Sequence, residues 1–200
     1  MDTRVSMILG AVVAYVGISA YIGLRGAKET TTTMDDYFLG NRQFGLILMA
    51  FTFYATYQSA YMYIGCTGFV YQHGMGIWYS NVANLLWGFL FLVIGIPMWK
   101  LSRKFGYVTQ GDFFAHRFDS EAVKLFISFW MILGLAPYIG SQVNSVAVTL
   151  ETLTGGVIPF RWAAVLFIVT VGFYSIVGGA RGVVWTDLVQ GIIMLIGIWS

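Results

Sequence analysis

Four stretches of this chain, residues 5–24, 43–99, 125–150 and 162–180, contain no Asp, Glu, Lys or Arg. A helix crossing about 30 Å of hydrocarbon needs about 20 apolar residues, so the first, third and fourth stretches each supply one crossing. The second is long enough for two, and "YQHGMG" (71–76) divides it with His, Gln and paired glycines suited to a turn. A further apolar run opens at Thr186 and reaches Ser200, about 22 Å at about 1.5 Å per residue. The pattern predicts one all-α transmembrane domain over 1–200 with spans near 5–24, 44–70, 77–99, 123–150, 162–180 and 186–200, the last cut short.

The polar positions between the runs carry their own signals. In the segment from Lys100 to Lys124, Thr109 and Asp112 have capping-box spacing ahead of "FFAHRF", which predicts a short amphipathic helix lying in the interface. His116 there reads as an interfacial residue, with pH sensing as the alternative. His73, in the turn, has no neighbour of metal-ligand type. Thr186 and Asp187 raise a sharper question, because a carboxylate at the start of an apolar run either caps a helix, favoured by the macrodipole, or belongs to an ion path.

Inside the spans, uncharged polar residues recur at helical spacing. Thr52, Thr56 and Ser59 form one stripe, flanked by Gln58 and Tyr61; Asn81, Asn84 and Gly88 form a second; Tyr138, Ser141, Gln142 and Ser145 form a third. Small and hydroxyl residues also serve helix packing, but three such stripes on three helices fit a solvated pathway through a bundle. Gly65 and Gly68 follow the first stripe. They predict a loosened backbone, tolerated at membrane depth only where it is buried in protein or lines a cavity. Secondary transporters coordinate sodium with carbonyls of this kind.

Composition narrows the function classes. The chain is 58% hydrophobic and 10% charged, against about 25% charged in soluble domains, so its solvent is largely lipid. A net charge of +2 gives no basis for nucleic-acid binding. With alternating crossings, nine of the 11 Lys and Arg residues share one side, leaving Arg4 and Arg161 on the other; this predicts a multi-pass protein of the cytoplasmic membrane with its amino terminus outside. The first run is longer than a signal-peptide core and its positive charges follow it, so it reads as a retained span. Lone Cys66 supports neither a disulfide framework nor a zinc site. No Ser/His/Asp set, phosphate-binding glycine loop or paired carboxylates within one span points to an enzyme.

Four segments, "DDYFLGNRQFG" (35–45), "GCTGFVYQHG" (65–74), "GDFFAHRF" (111–118) and "GGARGVVWTDLVQGIIM" (178–194), give the chain a resemblance to the sodium/solute symporter family. That family includes carriers of proline, pantothenate, sugars and monocarboxylates. The resemblance implies a leucine-transporter-like fold of two inverted five-helix repeats with one extra helix in front. This chain would hold the extra helix and the first repeat with its last helix incomplete, the C-terminal half of the transporter being a missing partner. It implies co-transported sodium held by the carbonyls of Ala55 and Gln58, a sodium-path role for Asp187, and solute contacts at Ser59, Tyr61 and Tyr138.

Proline carriers of the family have an aspartate where Tyr57 stands, which argues against proline as the solute. "TYQSAYMYIG" and "RGVVWTDLVQ" look more like the monocarboxylate-type and uncharacterised branches. The resemblance therefore implies sodium-coupled symport of a small organic solute, with a lean toward monocarboxylates. The alternative is a symporter-like sensory module of a membrane signalling protein; a third is a ligand-free scaffold whose polar stripes only pack. On the symporter reading, the 200-residue chain alone is expected to show no sodium-driven solute accumulation in vesicles, and accumulation by the chain alone would refute the need for a second half.

Overall fold

The computed structural model of the chain describes residues 3–30 and 33–199, without the side chains of residues 77, 80, 81, 198 and 199. Every regular element among the described residues is helical: α1 (Thr3–Glu29), α2 (Met34–Leu39), α3 (Leu46–Tyr57), α4 (Cys66–His73), α5 (Trp78–Phe105), α6 (Gln110–Phe118), α7 (Glu121–Leu153) and α8 (Phe160–Trp199), with 3₁₀ turns at Gly40–Arg42 and Gly74–Ile77 and a π-helical turn at Tyr61–Gly65. Four stretches are long and apolar enough to cross a membrane: Thr3–Glu29, Val82–Phe105, Glu121–Leu153 and Phe160–Gly197. Two features account for the difference from the six expected spans. The run at 44–70 is interrupted, leaving α3 short, and the two runs expected at 162–180 and 186–200 are joined in α8.

That junction is bent. Gly179 has φ 56° and ψ −156°, a conformation that glycine adopts readily and residues bearing a Cβ avoid. The bend interrupts the hydrogen-bond ladder, and side chains cover the carbonyls around it: the Tyr37 hydroxyl donates to Ile176 O at 2.8 Å and Thr30 Oγ1 reaches Gly178 O at 3.5 Å. Helix α2 is thereby seated against the bend, with its N-cap Thr33 accepting from the Asp36 N–H.

The chain divides into two compact units, residues 1–63 with 141–200, and residues 64–140. The first is organised by α1 and α3 packing on α8. Glycine permits the α1–α8 approach: a Cβ on Gly26 would lie 2.7 Å from Gly182 N, and one on Gly178 would lie 3.0 Å from Gly23 O. Contact at that distance lets two backbones meet with no side chain between them.

The second unit contains the predicted capping box. Thr109 accepts from the Asp112 N–H, and the Asp112 carboxylate accepts from Val108 and Thr109 N–H at 3.0 and 2.7 Å. Partial burial raises the Asp112 pKa, but Lys124 at 2.8 Å and these backbone donors outweigh it and hold the carboxyl at about 2. His116 is more tied down than an interfacial residue needs to be, since its ring is hydrogen-bonded to the Tyr107 hydroxyl and packs edge-on against Phe105. Asn81 of the second polar stripe has its side chain outside the described residues, and Asn84 is exposed.

Replacing Gly26 by Leu should separate α1 from α8 and lower stability by about 1–3 kcal/mol, the usual cost of overpacking. Thermal unfolding of the detergent-solubilised protein would read this, and an unchanged midpoint would show that the close crossing contributes nothing.

Candidate functional site

The first predicted stripe does not continue along one helix. Helix α3 ends at Tyr57, Gln58 and Ser59 are non-helical, and the chain resumes helical form from Ala60 through the π-helical turn into α4. The outright break therefore falls at Gln58–Ser59; of the two glycines expected to loosen the backbone, Gly65 ends the π-helical turn and Gly68 lies inside α4. The location of the break follows from a tertiary partner. In an unbroken helix the Tyr61 N–H would donate to Tyr57 O; here it donates to Gln142 Oε1 of α7 at 3.1 Å. Ser59 N–H, which would have served Ala55 O, donates to Tyr57 O at 3.0 Å. The Ala55 carbonyl has thus lost its helical donor, while the Gln58 N–H still reaches Tyr54 O at 2.8 Å.

Two side-chain groups at this break are buried without a hydrogen-bond partner, Ser59 Oγ and Gln142 Nε2. Because Gln142 Oε1 is engaged by a donor, its free end is the NH₂ group. Both open groups are therefore able to donate. Tyr61 is exposed beside them, and Tyr138 lies in the second unit with 43% of its surface exposed.

Asp187 is the second focus, and its setting rules out the capping explanation. It lies about two turns beyond the bend at Gly179, inside helix α8, and the preceding Thr186 hydroxyl donates back to Gly182 O at 2.8 Å as a mid-helix threonine does. Asp187 is only 9% exposed. The Thr52 hydroxyl of α3 is its hydrogen-bonding neighbour, but the contact is too loose for close hydrogen-bond geometry, which leaves Thr52 Oγ1 and Asp187 Oδ2 buried with no near partner.

Around them α1 contributes Tyr15, which accepts from Gln190 Nε2 at 2.7 Å, and Ser19, buried one turn further along; Tyr174 of α8 is buried too. A carboxylate oxygen in such a place is costly unless a proton, a water molecule or a cation meets it. Two hard oxygens facing each other suit an alkali cation, and no cluster of three His, Cys, Asp or Glu side chains among the described residues suggests a transition metal.

The structure brings Thr52, Ala55 and Asp187 to the packed α3–α8 side of the first unit, with Gln58 and Ser59 at the break. The sequence reading missed Tyr15, Gln190, Asp36 and Arg181. Arg181 donates from Nε and Nη2 to Asp36 Oδ1 at 3.2 and 2.8 Å, and Asp36 is 0% exposed. Gln190 carried a readable signal, since it sits three residues after Asp187 on one helical face. The Asp36–Arg181 pair carried none, because its members are 145 residues apart.

The model of the family described as "Sodium:solute symporter family" matches residues 37–199. This chain belongs to that family. Its symporter relatives include the sodium/pantothenate symporter of Escherichia coli K12, 32% identical over 92% of this chain and 38% of that protein. The human sodium/iodide cotransporter is 29% identical over 92% of the chain and 27% of its own length, and the monocarboxylate transport permease protein of Rhizobium johnstonii is 28% identical over 90% and 36%. The chain thus spans well under half the length of these relatives. No solved structure matches it. The family consists of transporters rather than enzymes, and the symporter match covers the α3 break, Gln142 and Asp187, whereas Tyr15 of α1 lies outside it.

Gln142→Leu would strand the Tyr61 N–H at the break. The expected loss is about 0.5–1.5 kcal/mol, the usual net contribution of one intramolecular hydrogen bond, measured by thermal unfolding in detergent. Unchanged stability would mean that another group satisfies Tyr61.

Proposed function

We propose that this chain is the portion of a sodium-coupled symporter that supplies one wall of the ion path and part of the solute site. The observation that carries this reading is the buried Asp187 carboxylate of α8, whose Oδ2 has no close hydrogen-bond partner, set against the Thr52 hydroxyl of α3, the helix that also bears the Ala55 carbonyl without its helical donor. Sodium is a hard cation that takes oxygen ligands, and carbonyls of unwound helices are a recurrent source of them in transporters. Ala55, Gln58 and Asp187 are the sodium ligands on this reading, and Thr52 joins them.

The solute is a small organic monocarboxylate. Ser59 Oγ and Gln142 Nε2 offer two donors with nothing to donate to, the complement that carboxylate oxygens require. The half-helix resuming at Ala60 adds the positive end of its dipole. Among the relatives, pantothenate and the substrates of a monocarboxylate permease are named cargoes, and both classes carry a carboxylate. Tyr61 borders the solute; Tyr138, a further contact on the family resemblance, belongs to the other unit. The fold is that of a leucine-transporter-like first repeat preceded by α1, in the cytoplasmic membrane with the amino terminus outside, the orientation favoured by the Lys and Arg distribution. The C-terminal half of the carrier supplies the remaining ligands.

Uptake by membrane vesicles containing the complete carrier tests this directly. An inward sodium gradient should drive accumulation of pantothenate or a short monocarboxylate but not of proline or glucose. Asp187→Asn should raise the sodium concentration for half-maximal uptake by about tenfold or abolish uptake, as loss of a charged ligand to a buried site does, while insertion into the membrane persists. Sodium activation unchanged in that variant would remove Asp187 from the ion path. Solute binding without uptake would favour the sensory reading.

A further inference from the structure

The bend at Gly179 leaves the later half of α8 without a continuous backbone ladder to aim it, so its direction is set by the contacts that hold it, the α1 crossing at Gly182 and the side chains that reach across the bend. The first charged contact after the bend is Arg181, which places two N–H groups on a single oxygen of Asp36. Asp36 is wholly buried, whereas the Arg181 side chain remains 22% exposed. The pair is therefore anchored at its acidic end in α2. Tyr37, the next residue of α2, is fastened to the other side of the bend through Ile176 O, and its own carbonyl would lie 2.9 Å from a Cβ on Gly179. Helix α2 thus grips α8 on both sides of its bend.

Asp187 lies on the half-helix that Arg181 orients, about 9 Å further along the axis at about 1.5 Å per residue. A small rotation of that half about Gly179 would carry its carboxylate along or away from α3. We propose that Asp36 and Arg181 are a positioning pair that sets the aim of the later half of α8 and so holds the Asp187 carboxylate opposite Thr52. The pair touches neither sodium nor solute; it acts through Asp187, and the proposal rests on the reading of Asp187 as a sodium ligand. Separating the two residues would take the guanidinium away from the buried Asp36 carboxylate, a costly change for a charge at that depth. The latch therefore stays closed while α2 is docked, and any motion of the half-helix must carry α2 with it.

Binding of ²²Na⁺ to the complete purified carrier in detergent tests the pair without knowledge of the solute. Arg181→Gln should weaken sodium binding by roughly tenfold, within the usual range of coupling between sites. Arg181→Lys, which keeps a positive charge on Asp36, should recover most of that loss. Melting temperature without sodium is measured alongside.

Unchanged sodium affinity in Arg181→Gln, with binding lost in Asp187→Asn, would overturn the positioning role and leave the sodium reading intact. Unchanged affinity in Asp187→Asn would overturn the sodium reading and this proposal with it. Should Arg181→Gln fail to fold, Asp36→Glu decides: it keeps the ion pair but displaces the carboxylate by one methylene. Weaker sodium binding at an unchanged melting temperature supports the proposal, and unchanged binding overturns it.

Discussion

A helix interrupted within an apolar span must find new partners for the backbone groups it releases, because hydrocarbon offers none. Among the described residues the chain carries such interruptions at Gln58–Ser59 after α3 and at Gly179 in α8, and several of the first unit's polar contacts answer one or the other. Gln142 takes the N–H released at Tyr61; Tyr37 and Thr30 cover carbonyls around Gly179. The polar residues that looked like a stripe for lining a path are thus partly structural, which is why only some of their atoms remain open.

What remains open differs between the two places. At the Gln58–Ser59 break the unmet groups are a hydroxyl and an amide NH₂; at Asp187 they are a hydroxyl and a carboxylate oxygen. A hydroxyl serves either sign of ligand, so the difference lies in the NH₂, which can only donate, and the carboxylate, which favours a cation. Both sets adjoin α3, the first at its end with Gln142 of α7 and the second along its length with Asp187 of α8, so ligands drawn to the two would share one helix, the kind of common element through which coupling between sites acts.

Glycine gives α8 its place in this arrangement. The close approach of Gly23 and Gly26 to Gly178 and Gly182 fastens α1 to α8 on both sides of the bend, and α1 also brings Tyr15 to Gln190 one turn beyond Asp187. Helix α1 is therefore more than an extra span in front of a core. It brings Tyr15 close to the buried carboxylate. On the far side Phe51 of α3 closes against Gly191, where a Cβ would lie 2.7 Å from its ring.

The sequence by itself determined the all-helical membrane character, the capping box at Thr109 and Asp112, and the family, because these depend on local periodicity, composition and contiguous motifs. It also picked out Asp187 and Gln142, since a charged residue in an apolar run and an amide in a helical stripe are visible without knowing their neighbours. The tertiary structure alone decided where α3 breaks, because Tyr61 N–H leaves its own helix only where an acceptor on α7 stands ready. It likewise decided that Asp187 is interior to a helix rather than its cap, since the bend comes at Gly179 and nothing in "GGARG" distinguishes a loop from a kink. The Asp36–Arg181 pair joins residues far apart in the chain, and a buried ion pair of that kind is specified by packing that local sequence patterns do not encode.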